Sequence, residues 1–449
     1  MSRARWSSKI GFIFAVAGSA IGLANIWRFP YIVGKHGGAA FIIVYLICLA
    51  LMGFPVFMSE MIIGRTAKTS PTGAFRKLGG GYWSWAGSLT ILTGFIVSSF
   101  YSAVAGWILG YLVEALTGNL SAFQGTDQAV GHYNELIGNP LWTIGFHALF
   151  LVGCTAVLYL GVREGIEKCS KFMMPLLFVV LFFLVASGLM LPNASKALLF
   201  LFTPDWTVLT PTAIIIAMGQ AFFTLSVGQG TIVTYGSYLH GKENLLKTCI
   251  PVVLMDTLVS ILSAVAVFTI VFSVGMEPNA GPGLLFHTLP WAFSQLSGGY
   301  LLAILFFLLV VIAALTSEIS AMEPTIAYLI DEKGWKRHQA VLACGFGAFL
   351  LGIPSAISYN LLKNTTLFGM TFLDLVGALA SDVLIPFGGF LAVILVGWRW
   401  GTSKAISELK RGADNWFKKM PFLSQYFWFC FKYSAPILIL FVFINALIT

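Results

Sequence analysis

The chain has 449 residues, of which 58% are hydrophobic and only 10% are charged, and its mean hydropathy is +0.88. A soluble domain carries about 25% charged residues, so this composition excludes a soluble globular protein and indicates an integral membrane protein. The net charge of +8 does not indicate a nucleic-acid partner, because the basic residues concentrate in predicted loops on one side of the membrane.

Hydropathy predicts an all-α polytopic membrane protein with about eleven transmembrane helices, since a helix needs roughly 20 apolar residues to cross a bilayer. No soluble domain is predicted beside them. The predicted spans, of which the ninth is the shortest, are residues 10–34, 39–64, 86–115, 141–160, 169–190, 211–238, 246–275, 299–330, 339–353, 369–397 and 426–447.

The distribution of Lys and Arg predicts the orientation of the chain. With the N-terminus in the cytoplasm, the external loops contain only Lys35, Lys196 and Lys363, and most of the other basic residues face the cytoplasm. Cytoplasmic loops of membrane proteins are enriched in Lys and Arg. We therefore expect a multi-pass protein of the cell (inner or plasma) membrane whose odd number of spans places the C-terminus outside.

The first predicted span contains a weak point for helix formation at its middle. Gly18, Ser19, Gly22 and Asn25 fall in one short window of an otherwise apolar segment, and Arg28 follows. Backbone groups freed by a break in the hydrocarbon region need partners, so a broken helix is tolerated only beside protein or a wet cavity. There its free carbonyls and half-helix ends can bind ions and small charged molecules.

The sixth predicted span has the same character, because Ser226, Gly228, Gln229 and Gly230 interrupt it. Two broken spans five helices apart are typical of an inverted-repeat transporter. The alternative is a pair of glycine-lined seams for helix packing. On the first interpretation a single transporter domain covers residues 1–449, with inverted five-helix repeats at 10–190 and 211–397 and an accessory helix at 426–447.

The motif Asn25-Ile-Trp-Arg-Phe-Pro-Tyr31, which follows the first glycine-rich break, carries a family resemblance. Together with residues 6–65, 219–238 and 315–331, it resembles the neurotransmitter:sodium symporter family, especially its bacterial amino-acid transporters of the leucine-transporter type. The resemblance extends from Arg3 to about residue 398. It implies sodium-coupled transport of an amino acid.

The resemblance implies two sodium sites. The first has as its ligands the carbonyl of Ala20, the side chains of Asn25 and Asp256, and the carbonyl and hydroxyl of Thr224, and the substrate carboxylate completes it. The second comprises carbonyls of Gly18, Ile21 and Ala313 and hydroxyls of Thr316 and Ser317. A hard cation prefers oxygen ligands, and unwound backbone supplies them.

The substrate is expected between the two breaks. The resemblance implies that half-helix amides near Leu23 and Ala24 and the Tyr101 hydroxyl hold its carboxylate. A large hydrophobic or aromatic side chain is the expectation, because Ala321 is small. The whole implied substrate set is Ala20, Leu23, Ala24, Val97, Tyr101, Phe223, Thr224, Ser226, Gln229, Ser317 and Ala321.

The resemblance also implies two gates. Arg28 and Asp374 are the expected external pair. Arg3 and Asp331 are the expected cytoplasmic pair, with Trp6 and Tyr238 packed around them.

Position 256 departs from the family pattern, in which Asn is commoner and is accompanied by a Glu at position 260 or by chloride. Here Asp256 supplies the negative charge and Ser260 is neutral, so chloride is not expected to be required. The alternative is a protonated Asp256 that acts as Asn would.

We therefore predict a sodium-coupled amino-acid symporter that works by alternating access in the lipid bilayer. No nucleophile–base set is evident, so an enzyme is not expected. A substrate-binding sensor and an ion channel on the same scaffold are the alternatives. The sequence leaves the exact amino acid, the ion stoichiometry, the role of Glu318 and the oligomeric state open.

Overall fold

The computed structural model describes residues 4–241, 243–276 and 281–448. In this part of the chain the regular structure is helical, and one isolated β-bridge joins Leu367 and Met370. Nine of the described helices are long and apolar enough to cross a membrane, and a tenth span consists of two helices that meet at 54°. A shorter broken helix lies between the fourth and fifth of the nine. The all-helical fold is confirmed, and each predicted span has a counterpart.

The spans are numbered α1 to α11 in chain order. They are α1 (Lys9–Ala20 and Ala24–Lys35), α2 (Ala39–Ala67), α3 (Gly81–Thr117), α4 (Pro140–Tyr159), α5 (Val162–Leu189), α6 (Pro211–Phe223 and Thr231–Ser237), α7 (Leu245–Ser273), α8 (Gly299–Asp331), α9 (Arg337–Ala356), α10 (Phe372–Arg399) and α11 (Phe422–Asn445). Shorter helices lie in the connections, at Pro71–Gly79, Thr126–Gly138, Ala194–Phe202, Thr288–Ser294, Thr402–Lys410 and Asp414–Lys419.

Helix α1 breaks where the sequence predicts it. Its first half ends at Ala20, and Ile21 leaves helical geometry with a ψ of 106°. The second half begins with a wide π turn over Ala24–Arg28 and continues as an α-helix from Phe29. Pro30 lies in the first turn of that helix, where its missing N–H removes little hydrogen bonding.

Helix α6 breaks over residues 224–230. Ser226, Gly228 and Gly230 have φ values of 52°, 80° and 77°, which lie in the left-handed region. Glycine adopts this region without steric cost. Gly228 is also packed tightly, since a Cβ atom there would lie 2.0 Å from the carbonyl oxygen of Ile385 in α10.

Helix packing places both breaks inside the bundle. The first half of α1 packs against α5, α7 and α8, and the second half of α6 packs against α2 and α8. Helix α3 runs along α8 and closes another side. The broken segments are therefore surrounded by protein, which satisfies the requirement for irregular backbone at membrane depth.

Replacing Gly228 by Ala is expected to destabilise the fold by about 1–3 kcal/mol, because a left-handed non-glycine residue is strained and its Cβ would collide with the Ile385 carbonyl. Thermal unfolding of the purified protein in detergent measures this. Gly219→Ala in the first half of α6 is the matched control, since no atom lies within 4 Å of the added Cβ. An equal unfolding temperature for the two variants would contradict the argument.

Candidate functional site

A cavity lies between the breaks of α1 and α6 and extends to α3, α8 and α10. Most of the predicted substrate residues line it, and Thr224 and Ala321 are the two that do not. Thr224 follows the lining residue Phe223, and Ala321 lies one turn after Ser317 in α8. The lining residues are Ala20, Gly22, Leu23, Ala24, Val97, Tyr101, Phe223, Ser226, Val227, Gln229, Ser317, Glu318 and Ile385.

One end of the cavity is suited to an anion. The backbone N–H of Leu23 donates to the Tyr101 hydroxyl over 3.3 Å, and the second half of α1 begins at the next residue. The first amides of a helix have no helical acceptor, and the helix dipole is positive there. A carboxylate group at this end would meet N–H donors together with the phenolic hydroxyl of Tyr101.

Buried oxygen atoms converge beside the cavity around the Asn25 side chain. Its Nδ2 donates to Thr224 Oγ1 at 2.9 Å, to Asp256 Oδ1 at 2.7 Å and to Ser260 Oγ at 2.9 Å. The Asp256 backbone oxygen lies 3.3 Å away. Thr224 Oγ1 also donates toward both Asp256 carboxylate oxygens over 3.1 Å. Three residues of the first predicted sodium site, Asn25, Thr224 and Asp256, are thus brought together from α1, α6 and α7.

The chemistry of this cluster fits a cation. The Asn25 amide hydrogens lie among four oxygens, and Asn25 Oδ1 accepts from Gly22 N at 2.9 Å. A rotation of the amide by 180° would turn Oδ1 toward Thr224 and Asp256. The four side chains Asn25, Thr224, Asp256 and Ser260 are fully buried, and a buried carboxylate is stabilised by a neighbouring positive charge.

The residues of the second predicted sodium site lie where α1 contacts α8. Thr316 Oγ1 is 3.1 Å from the Ala313 carbonyl. A Cβ atom at Gly18 would lie 3.4 Å from Thr316 Oγ1, so the backbone of α1 passes close to this hydroxyl. Ser317 Oγ donates to the Ser19 carbonyl over 3.3 Å. Gly18, Ala313, Thr316 and Ser317 of the predicted set therefore lie together where α1 meets α8.

A vestibule of about 610 Å³ opens above the cavity, and both residues of the predicted external pair line it. Arg28 lies with its guanidinium carbon 5.0 Å from the centre of the Phe223 ring, a cation–π arrangement. Phe223 also lines the inner cavity. The Arg28–Phe223 contact therefore forms the floor of the vestibule and part of the roof of the cavity.

Arg28 and Asp374 are not joined in the structure, as no ion pair within 4.0 Å links them. Asp374 instead accepts from the Tyr359 hydroxyl at 3.0 Å and from Thr371 Oγ1 at 2.7 Å. The acidic side chain that acts on Arg28 through its charge is Asp382, two turns further along α10. The predicted pair is thus placed at one vestibule but not in contact.

At the opposite end of the bundle, Trp6 is buried against the end of α6. Its indole Nε1 donates to the Tyr235 carbonyl over 3.1 Å, and its ring packs edge-on against Tyr238 at 6.1 Å. Asp331 accepts from the backbone N–H of Ser70 at 2.7 Å. Arg3, its predicted partner, lies outside the described residues.

The buried carboxylate of Glu323, which was not among the predicted site residues, links three helices at this end of the bundle. Glu323 Oε1 accepts from the Tyr238 hydroxyl at 2.8 Å, and its two oxygens accept from the Arg337 guanidinium at 2.9 and 2.8 Å. The intramembrane position of Glu323 in the sequence was the available signal, because carboxylates inside membrane helices are expensive and need partners. The network connects α6, α8 and α9.

Residues 3–135 and 128–449 match the model of the sodium:neurotransmitter symporter family. The chain belongs to this family. It is therefore a sodium-dependent membrane transporter and not an enzyme, as predicted.

Individual relatives agree over nearly the whole chain. An uncharacterized sodium-dependent transporter of Bacillus subtilis is 38% identical over 443 residues, which cover 98% of this chain and 97% of the relative. The crystal structure of MhsT in complex with L-phenylalanine matches with a TM-score of 0.89 and 39% identity, over 99% of this chain and 100% of that one. The sodium-dependent dopamine transporter of Bos taurus is 28% identical over 504 residues, 100% of this chain and 69% of the relative.

Two acidic residues of α10 are the candidates to pair with Arg28: Asp374 lines the vestibule with it, and Asp382 lies two turns further along the helix. We expect Asp374→Asn to lower uptake about tenfold, which corresponds to about 1.4 kcal/mol of lost contact in a rate-limiting step, while substrate binding to the purified protein changes less. The measurement is initial uptake rate beside equilibrium binding for each variant. Asp382→Asn is the comparison, and a larger loss of uptake there than in Asp374→Asn would assign the gate to Asp382.

Proposed function

We propose that this protein is a sodium-coupled symporter that carries a large hydrophobic or aromatic L-amino acid into the cell by alternating access. The observation that carries the proposal is the convergence of the Asn25, Thr224, Asp256 and Ser260 oxygen and amide groups beside a cavity between two broken helices. The phenylalanine complex of MhsT, a protein 39% identical to this chain, supports an amino acid as the substrate.

The substrate carboxylate would lie at the amides of Leu23 and Ala24, with the Tyr101 hydroxyl beside it. The same end of the cavity adjoins the Asn25 cluster, so the carboxylate completes the oxygen shell of the first sodium ion. Binding of ion and substrate is then mutually favourable, and the coupling free energy is the same in both directions. The substrate amine would face the free carbonyls at the ends of the α1 and α6 first halves.

The second sodium ion would hold α1 against α8. Its oxygens come from Gly18, Ile21 and Ala313 on the backbone and from Thr316 and Ser317 on side chains. An ion at this place stabilises the conformation in which α1 and α8 are in contact, because it binds that state more tightly than one in which they separate. Its loss permits the two helices to part.

Alternating access requires that the two ends of the bundle open in turn. Arg28 and Phe223 cover the cavity at the vestibule end, and Trp6, Tyr238, Glu323 and Arg337 close the other end. The concentration of Lys and Arg near the Trp6 end supports a cytoplasmic location for it and an external location for the vestibule. The C-terminus would then lie outside.

A substrate sensor and an ion channel are the competing functions. Uptake into proteoliposomes separates the three: a symporter accumulates amino acid down a sodium gradient with saturation, a channel conducts ions without substrate, and a sensor gives no flux. Two separate closures, one at each end of the cavity, favour the symporter over an open pore.

Substrate binding is expected to require sodium. Affinity measured in sodium chloride should exceed that in potassium chloride at equal ionic strength by about tenfold or more, in the usual range of coupling energies. Thr316→Ala should weaken sodium dependence by removing a hydroxyl of the second ion site.

The matched control is Thr269→Ala in α7, because Thr269 also donates to carbonyls three and four residues earlier, at 3.0 and 2.8 Å, but lies away from the cavity. It should leave the sodium dependence unchanged. Equal affinity in sodium and potassium for the wild-type protein would remove the two-ion interpretation.

Chloride should not be needed for uptake. The Asp256 carboxylate supplies fixed negative charge, and at ~4 Å with an effective dielectric near 20 a unit pair is worth about 4 kcal/mol. Wild-type uptake is therefore expected to persist when gluconate replaces chloride.

Asp256→Asn removes the negative charge at position 256. The buried polar residues that would then surround a chloride ion are Tyr45, Gln220, Thr224 and Ser260. Uptake by this variant should become chloride-stimulated. A wild-type protein that loses uptake without chloride would show that Asp256 does not act as the balancing charge.

A further inference from the structure

Glu318 is a buried carboxylate on the wall of the cavity. Glu318 is fully buried and lines the cavity between the breaks. Its Oε1 accepts a hydrogen bond from the Ser98 hydroxyl of α3. Its other oxygen, Oε2, is buried and has no hydrogen-bond partner among the described residues. A buried acceptor without a partner costs free energy, so this oxygen requires an explanation.

No cationic side chain compensates Glu318 in the described part of the chain, since it forms no ion pair within 4.0 Å there. The titratable neighbours on which its charge acts are Tyr101, Cys154 and Cys344, and none of these is basic. An uncompensated carboxylate at this depth is expensive and marks a functional position.

A second unsatisfied acceptor lies on the same cavity. Gln229 Oε1 is buried without a hydrogen-bond partner, and Gln229 also lines the cavity. Gln229 also lies against α3, since a Cβ atom at Gly94 would lie 2.8 Å from the Gln229 backbone carbonyl. Two acceptors without donors therefore border the same cavity.

Other buried glutamates of the described chain differ in this respect. Glu323 has both oxygens occupied by Arg337 and Tyr238, and Glu167 accepts from Ser7 and Ser8 and pairs with Lys171. Glu60 accepts from Gly228 N at 2.6 Å and does not line the cavity. Glu318 alone among these four faces the space assigned to the substrate.

We propose that Glu318, with Gln229, forms a subsite that accepts a hydrogen bond from the side chain of the substrate, so that the transported amino acid carries an N–H or O–H donor at the end of its side chain. The remaining wall there is apolar, with Val97, Phe223, Val227 and Ile385. A mainly apolar side chain with one terminal donor fits such a wall better than a pure hydrocarbon. This inference rests on the proposed function, because it assumes that the cavity binds an amino acid.

The test is competition binding in sodium with matched pairs of amino acids that differ in the donor: tyrosine with phenylalanine, tryptophan with naphthylalanine, and lysine with norleucine. The donor-bearing member should bind about 10- to 100-fold more tightly in at least one pair, the range expected when a buried polar group is otherwise left without a hydrogen-bond partner. A preference confined to lysine identifies an ion pair, and a preference for tyrosine or tryptophan identifies a neutral donor. Both support the subsite.

Two variants connect the preference to Glu318. Glu318→Leu removes both acceptors at similar size and should abolish the ratio of affinities within the preferred pair. Glu318→Gln keeps one acceptor oxygen and should retain part of the ratio for a neutral donor. Glu167→Gln is the matched control, since Glu167 is equally buried but lies away from the cavity and from both breaks, and it should leave the ratio as in the wild type.

Equal affinities within all three pairs for the wild-type protein would overturn the subsite, even if no variant folds. An unchanged ratio in Glu318→Leu would overturn it as well. A different result would contradict the proposed function, namely that no amino acid binds in a sodium-dependent manner. If phenylalanine and norleucine bind in a sodium-dependent manner and as tightly as tyrosine and lysine, the proposed symporter function stands. Only the donor subsite is then excluded.

Discussion

The constraint on which this structure depends is that backbone hydrogen-bonding groups inside a membrane need partners in the protein. The breaks of α1 and α6 free such groups at the centre of the bundle, and neighbouring side chains accept or donate in their place. Asn25 Oδ1 accepts from Gly22 N, and Glu60 accepts from Gly228 N. The Ser226 hydroxyl donates to the Ser19 carbonyl over 2.7 Å, which ties one break to the other.

These same contacts join the proposed sites to each other. The Ser19 carbonyl accepts from Ser226 in α6 and from Ser317 in α8, and the Ser19 hydroxyl is 2.8 Å from Ser320. One residue near the end of the first half of α1 thus contacts both the cavity wall, at Ser226, and the proposed second ion site, at Ser317. A movement of α1 that changes one of these contacts changes the others, which is a physical route for coupling between ion and substrate.

Hydropathy was sufficient to locate the spans, because a bilayer demands long apolar segments, and glycine-rich windows located the two breaks. The family resemblance grouped Val97, Tyr101 and Phe223 as substrate residues, and in the structure these three line one cavity. The hydrogen-bond and ion-pair partners of individual side chains could not be predicted from the sequence. The position of Asp382 near Arg28 and the pairing of Glu323 with Arg337 depend on how α9 and α10 are rotated against their neighbours, and a single sequence does not encode those rotations in a readable pattern.

The Phe223 ring has a different neighbour on each of its sides: the cavity below and the Arg28 guanidinium 5.0 Å above its centre. The size of a molecule bound in the cavity therefore affects the tilt of the Phe223 ring, and this tilt affects the position of the Arg28 guanidinium. A compound that fits the cavity but holds the ring upright would displace Arg28 and keep the vestibule from sealing. Under the proposed function, such a compound would bind to the protein without being transported.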